Sequence, residues 1–119
     1  MMLRLPWPPT QLSPNRRLHW ASVARAKKAY REVCRLSVAG MMPKCIRLVD
    51  CGLCMSLRFR PPNRRSYDRD NLLARMKAGL DGMCDALGID DKRFTKVTVE
   101  VGEPVKGGSV EVLIAKVEQ

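Results

Sequence analysis

Asp68, Asp70 and the pair Asp90-Asp91 are the side chains of this sequence best suited to chemistry. Six of the seven aspartates fall between Asp68 and Asp91, a window of 24 residues, in a chain of formal charge +10. Carboxylates repel a polyanion unless they hold divalent cations, and Mg²⁺ prefers hard oxygen ligands while keeping water and reaching for phosphate. An aspartate cluster in a basic chain therefore points to metal-assisted phosphodiester chemistry. Asp68-Arg69-Asp70-Asn71 sets two carboxylates at i and i+2, which converge on one ion if the chain bends as it enters a helix. Asp70 is expected to cap that helix, and the positive helix end favours its charge. The plain alternative gives Asp70 only the cap and leaves Asp68 a solvated loop acid. Asp91, in the loop Gly88-Ile89-Asp90-Asp91, completes a three-carboxylate site if the fold returns that loop to the helix start. Lys77 lies seven residues after Asp70, on nearly the same helical face and about 10 Å along the axis. An ammonium there stabilises charge on a phosphate or a departing oxygen in the transition state. Its alternative role is an i,i+4 pair with Asp81.

The charge is unevenly spread. Residues 1–65 carry fourteen Lys or Arg against Glu32 and Asp50, a net of +12, while residues 66–119 carry a net of −2. Such a surplus in a small domain marks a polyanionic partner, because each phosphate neutralised releases counterions. Candidate DNA contacts are Arg31 and Arg35 on the first helix, Arg58 and Arg60 on a strand, and Arg64, Arg65 and Arg69 beside the acidic cluster. Membrane-surface binding would favour a bulkier apolar helix face. With no apolar run of about 18 residues and no signal-peptide core, a soluble cytoplasmic protein without a membrane partner is expected. Cys34, Cys45, Cys51, Cys54 and Cys84 make an odd count without a disulfide-framework spacing, so reduced thiols are expected. Cys51 and Cys54 form a CxxC that lacks two further zinc ligands, the single His19 lying far upstream.

A length of 119 residues and 45% hydrophobic content fit one domain, 1–119. Met2-Leu3-Arg4-Leu5 reads as a short strand halted by Pro6-Trp7-Pro8-Pro9. The loop that follows, through Leu12-Ser13-Pro14-Asn15, is either a rigid connector or a wall of the substrate site. From about Trp20 to Ala39 the period is helical, with Val23, Ala26, Ala29, Tyr30 and Val33 on one face, Arg25, Lys28, Arg31 and Arg35 opposite, and Gly40 as a natural stop. Between Ile46 and Arg60 the period is two, setting Leu53, Met55, Leu57 and Phe59 against Cys54, Ser56, Arg58 and Arg60, with a bulge at Asp50–Gly52. A second helix over Asn71 to about Leu87 repeats Leu72, Met76, Leu80, Met83 and Leu87, with Gly88 as its stop. Strands at about Lys96–Val101 and Val110–Val117 flank Pro104–Gly108 and are expected to close the chain as a hairpin. The order is β-α-β-α-β-β.

As a whole the chain resembles the RusA family of Holliday junction resolvases, small phage and prophage endonucleases. The resemblance spans nearly all of it and rests on Leu5-Pro6-Trp7-Pro8-Pro9 with Asn15, Asp68-x-Asp70-Asn71-Leu72, Lys77-x-x-x-Asp81, Ile89-Asp90-Asp91 and Lys106-Gly107-Gly108, in that order and spacing. It implies an α+β protomer with a small mixed sheet flanked by two helices, working as a homodimer that nicks two opposed strands of a four-way DNA junction. It implies Mg²⁺, with Mn²⁺ as a substitute, held by Asp68, Asp70 and Asp91, an essential helix lysine at Lys77, and nicks with 5′-phosphate and 3′-hydroxyl ends. Two departures stand out. One form of the family has its lysine four residues after the second aspartate, where this chain has Ala74, and basic residues tend to abut the first aspartate, where Ser66 and Tyr67 intervene. The other readings open at this point are a non-catalytic basic DNA-binding protein and a metal-dependent nuclease for another branched substrate or RNA.

Overall fold

A computed structural model describes residues 1–14, 16–41 and 52–117. Strand β1 is Met2–Leu5, helix α1 Trp20–Met41, strand β2 Leu53–Arg60, helix α2 Arg69–Leu87, strand β3 Phe94–Val101 and strand β4 Ser109–Lys116. Short 3₁₀ turns cover Thr10–Leu12 and Asp91–Arg93. This is an α+β fold with two helices and a mixed four-stranded sheet of order β1-β4-β2-β3, in the β-α-β-α-β-β sequence expected. No helix among the described residues is long and apolar enough to cross a membrane.

The period-two pattern of β2 lands as read: Leu53, Met55, Leu57 and Phe59 are all buried. Its register sets Leu57 beside Val112 and Phe59 beside Val110, and β1 adds Leu3 opposite Val112 and Leu5 opposite Val110. One face of the sheet thus becomes a continuous apolar layer under the helices. The other face carries a charged row across all four strands, Arg4, Glu111, Arg58 and Glu100. Burying side chains of this size contributes roughly 1.5–3 kcal/mol each, an upper range for bookkeeping from an extended chain.

The closing hairpin is not formed. β3 pairs with β2 in parallel and β4 pairs with β2 antiparallel on its other edge, so β2 separates them. A parallel neighbour needs a long crossover, which α2 supplies as the helix of a β2-α2-β3 unit. The link from β3 to β4 then passes over the end of β2, where the Gly102 amide donates to the Phe59 carbonyl and the Val105 amide to that of Pro61. The bulge expected at Asp50–Gly52 lies mostly outside the described residues; a register shift occurs at Leu53/Cys54.

Two details of α1 also differ. The helix runs through Gly40, which keeps an ordinary helical φ, to Met41. Its buried stripe is Tyr30, Cys34 and Val38, while Val33 is 47% exposed. The stripe follows i, i+4, i+8 spacing, and a buried thiol takes the place expected of a branched aliphatic side chain.

The proline-rich segment is locked down rather than loose. Trp7 stacks edge-on against Phe59 at 6.0 Å and Tyr67 at 5.5 Å. The Tyr30 hydroxyl donates to the Pro6 carbonyl at 2.6 Å, and the Arg75 guanidinium donates to the Pro8 carbonyl at 2.7 Å. Ser13 Oγ donates to Asn71 Oδ1 at 3.2 Å, tying the loop to the first turn of α2.

Candidate active site

Asp68, not Asp70, caps α2. Asp68 has extended backbone angles, and its Oδ1 accepts from the amides of Asp70 at 2.8 Å and Asn71 at 3.4 Å. A cap must stand just outside the helix and reach the second or third amide, and only Asp68 does. Asp70 is thereby moved into the first turn, where the helix end favours its charge without consuming its oxygens.

Asp70 lines a cleft of about 490 Å³ between α2 and strand β3. Lys77, Asp81 and Asp91 line it too, so residues from the start and middle of α2 meet one from the turn beyond its end. Gly88 makes this return possible: it takes the left-handed conformation at φ 68°, closing the helix so that the next residues fold back. Asp90 then caps the following 3₁₀ turn, its Oδ1 accepting from the Lys92 amide at 2.9 Å. That bond, with a smaller contribution from the Asp91 side chain, holds the Asp90 carboxyl below the usual carboxylate range. Asp90 is thus occupied by the turn, and Asp91 is the one facing the cleft.

Leu73, Leu80, Phe94 and Val97 give the cleft apolar walls, and Cys84 lines it as well. Burial, followed by the charges of Asp91 and Asp81, pushes the Cys84 thiol up to about 12, so it stays protonated near neutrality and is no nucleophile. Lys77 makes no ion pair with Asp81 within 4.0 Å among the described residues, which leaves its ammonium available at the cleft. Asp68 does not line the cleft, and no group of three His, Cys, Asp or Glu among the described residues is close enough to hold a metal. The arrangement brings Asp70, Asp91 and Lys77 together and leaves Asp68 at the cap.

Several of the candidate DNA contacts are already engaged. Arg31 forms a two-pronged pair with Asp85 of α2 at 2.7 and 2.9 Å, which raises the guanidinium above its ordinary value and lowers the Asp85 carboxyl. Arg35 pairs with Glu32 and Arg58 with Glu100. Arg60 reaches Glu111 at 3.4 Å, and Arg64 lies 3.9 Å from Glu103. Arg65 and Arg69, both exposed, make no side-chain ion pair among the described residues. Asn15 lies outside the described residues.

Sequence reasoning gave Asp81 only a pairing role, although it stands eleven residues from Asp70, three helical turns on the same face. That spacing is the signal that places it on the cleft. The buried Arg75 had none, because no carboxylate partner announces it.

The fold and the cleft define a small α+β protein with an acidic, lysine-bearing site at a helix flank. The chain is similar to an uncharacterized protein of Xylella fastidiosa (strain Temecula1 / ATCC 700964), 40% identical over 123 residues that take in 98% of this chain and 77% of the relative, and it belongs to the same family as that protein. No family model matches the chain.

Proposed function

We propose that this protein is a metal-dependent endodeoxyribonuclease of the RusA type, which resolves four-way DNA junctions by paired nicks. The observation that carries the reading is the convergence of Asp70, Lys77 and Asp91 on one cleft in a chain of charge +10. Asp70 and Asp91 offer hard oxygen donors, and Mg²⁺ typically takes one or two carboxylates together with water and substrate phosphate, so the donor set fits Mg²⁺ or Mn²⁺. Asp68 has no hydrogen bond on Oδ2 among the described residues, but it stands outside the cleft and would join the donor set only by moving toward it. Such an ion supplies Lewis-acid stabilisation of phosphodiester oxygens and activates water.

The chain's own groups do the positioning. Lys77, free of Asp81, directs an ammonium to the phosphate where charge builds in the transition state. Asp70 and Asp91 are exposed at the cleft, so a phosphodiester can reach them from solvent. Arg65 and Arg69 flank the cap and are free to contact the strand being cut, whereas Arg31 and Arg35 would have to exchange acidic partners for phosphates. A protomer with a radius of gyration of 14.3 Å presents one such cleft, so cuts in two opposed strands call for a homodimer. The setting that goes with this reading is a bacterial cytoplasm, with the gene carried by a phage or prophage.

Incubation of the purified protein with an end-labelled four-way junction, with and without Mg²⁺ or Mn²⁺, tests it directly. Paired, ligatable nicks that need the metal are expected. Intact junction under every metal condition would overturn the proposal. A second reading, a non-catalytic DNA-binding protein, draws on Asp68 being taken up by the cap; it predicts binding indifferent to chelation and no cutting. Competition among junction, flap, duplex and RNA substrates separates junction resolution from a nuclease of other preference.

A further inference from the structure

On the other flank of α2, facing α1, lies a smaller cavity of about 150 Å³. Its charged lining is Lys27 from α1 with Arg75, Lys77 and Asp81 from α2, three cations to one acid. Arg75 is the unusual member. It is 6% exposed, its Nε is buried without a hydrogen-bond partner, and it has no carboxylate partner among the described residues. One terminal nitrogen is used by the Pro8 carbonyl, and the Trp7 ring lies 5.6 Å from the guanidinium carbon. A guanidinium stripped of water and short of acceptors is costly to bury; Nε itself is closed to solvent, so the donor left for an oxyanion in the cavity is the other terminal nitrogen, which has no hydrogen bond among the described residues. Lys27 and Lys77 likewise make no ion pair among the described residues.

We infer that this cavity is a second phosphate site, taking the backbone phosphate next to the one presented to Asp70 and Asp91. Ala74, Lys77 and Asp81 line both the cavity and the larger cleft, so they form the ridge between the two. At Ala74 that ridge is only a methyl group high, which leaves a path for a sugar-phosphate chain from one side to the other. Lys77 stands beside this path and faces both phosphates. The source of the phosphate, a nucleic-acid backbone, rests on the nuclease reading above; the oxyanion chemistry of the cavity does not.

The test uses the full chain in excess EDTA, so cleavage plays no part. Titration with inorganic phosphate, followed by ³¹P NMR, is expected to show saturable binding that weakens about tenfold in Lys27→Ala, as for loss of one charge-assisted hydrogen bond. Arg25→Ala, on the same helix but outside the cavity, should bind as the unaltered protein does. Lys27 is exposed, so its loss leaves the fold intact, which a change at Arg75 need not. Junction binding measured against salt should lose about one unit of slope in log K versus log salt in Lys27→Ala. Equal phosphate affinity in Lys27→Ala and the unaltered protein would overturn the site. Weakened phosphate binding with an unchanged salt slope would overturn the backbone source and leave a site for free phosphate. If phosphate binds as expected but no junction is ever cut, the nuclease reading fails while the oxyanion site stands.

Discussion

Toward α1, helix α2 presents Gly79 and Gly82, and a Cβ on either would run into its neighbour: Tyr30 for Gly79, the Arg31 carbonyl for Gly82. Toward β3 the same helix presents Leu73, Leu80 and Cys84, which stand back from Phe94 and Val97 and leave a cleft. Around these two glycines the helices pack against each other without room for a side chain, which restricts how α2 can shift there. On the second, side chains can project without being used for packing. The tight flank fixes where Asp70, Lys77 and Asp81 stand, and the loose flank leaves them accessible, a division expected of sites held on rigid elements.

The comparison can be broken most severely on the loose flank. Asp70→Asn keeps size but removes charge, and single-turnover cleavage is expected to fall by about three orders of magnitude or more with junction binding and thermal midpoint little changed. Asp91→Asn should match it, and the double variant should be no worse, because groups acting as one unit are not additive. Near-normal cutting by Asp70→Asn would detach the cleft from catalysis. Next comes Lys77→Ala, expected to slow single-turnover cutting by roughly two orders of magnitude. Asp81→Ala is its control, since mild, equal effects from both would return Lys77 to the helix surface.

On the tight flank the expected losses are of stability. Gly82→Ala must push α1 and α2 apart and is expected to cost about 1–3 kcal/mol in urea unfolding. Gly40→Ala, in the last turn of α1 with nothing within 4 Å of the added methyl, should instead gain about 0.4–1 kcal/mol. If Gly82→Ala is neutral, the close approach is not what fixes the helix. The cap has an effect of similar size: Asp68→Ala should lose about 1 kcal/mol, whereas Asp68→Asn retains capping. Cleavage by Asp68→Asn then isolates any part the carboxylate plays with metal, because stability is held constant.

Much of this was legible in the sequence where the information is local. The alternation in β2, the helical spacing from Leu72 to Met83 and the Gly88 stop each depend on residues a few positions apart, and each is found. Lys77 and Asp70 share the cleft because seven residues are two helical turns. Pairing partners were not legible: the alternation of β3 and β4 fits a hairpin as well as it fits two strands on either side of β2. The choice depends on β2, some 40 residues away in sequence. The cap was misplaced by two residues since Asp68 and Asp70 both carry suitable side chains, and backbone angles decide between them. The acids that occupy Arg31 and Arg58 come from other elements, Asp85 of α2 and Glu100 of β3, so the charge pattern along α1 and β2 taken singly shows free cations. Arg75 and the paired glycines of α2 matter only through what lies against them.

β4 is bonded to β1 along one edge and to β2 along the other, and it follows every other strand in the chain. During synthesis it therefore emerges from the ribosome after the other three strands. Until it does, β1 has no strand to pair with, and Leu3 and Leu5 wait for sheet partners more than 100 residues downstream. Folding cannot proceed piece by piece from the N-terminus; the sheet closes in one late step that brings distant segments together. Chains of this kind fold more slowly than helical bundles of equal size, and they expose unpaired strand edges while they wait.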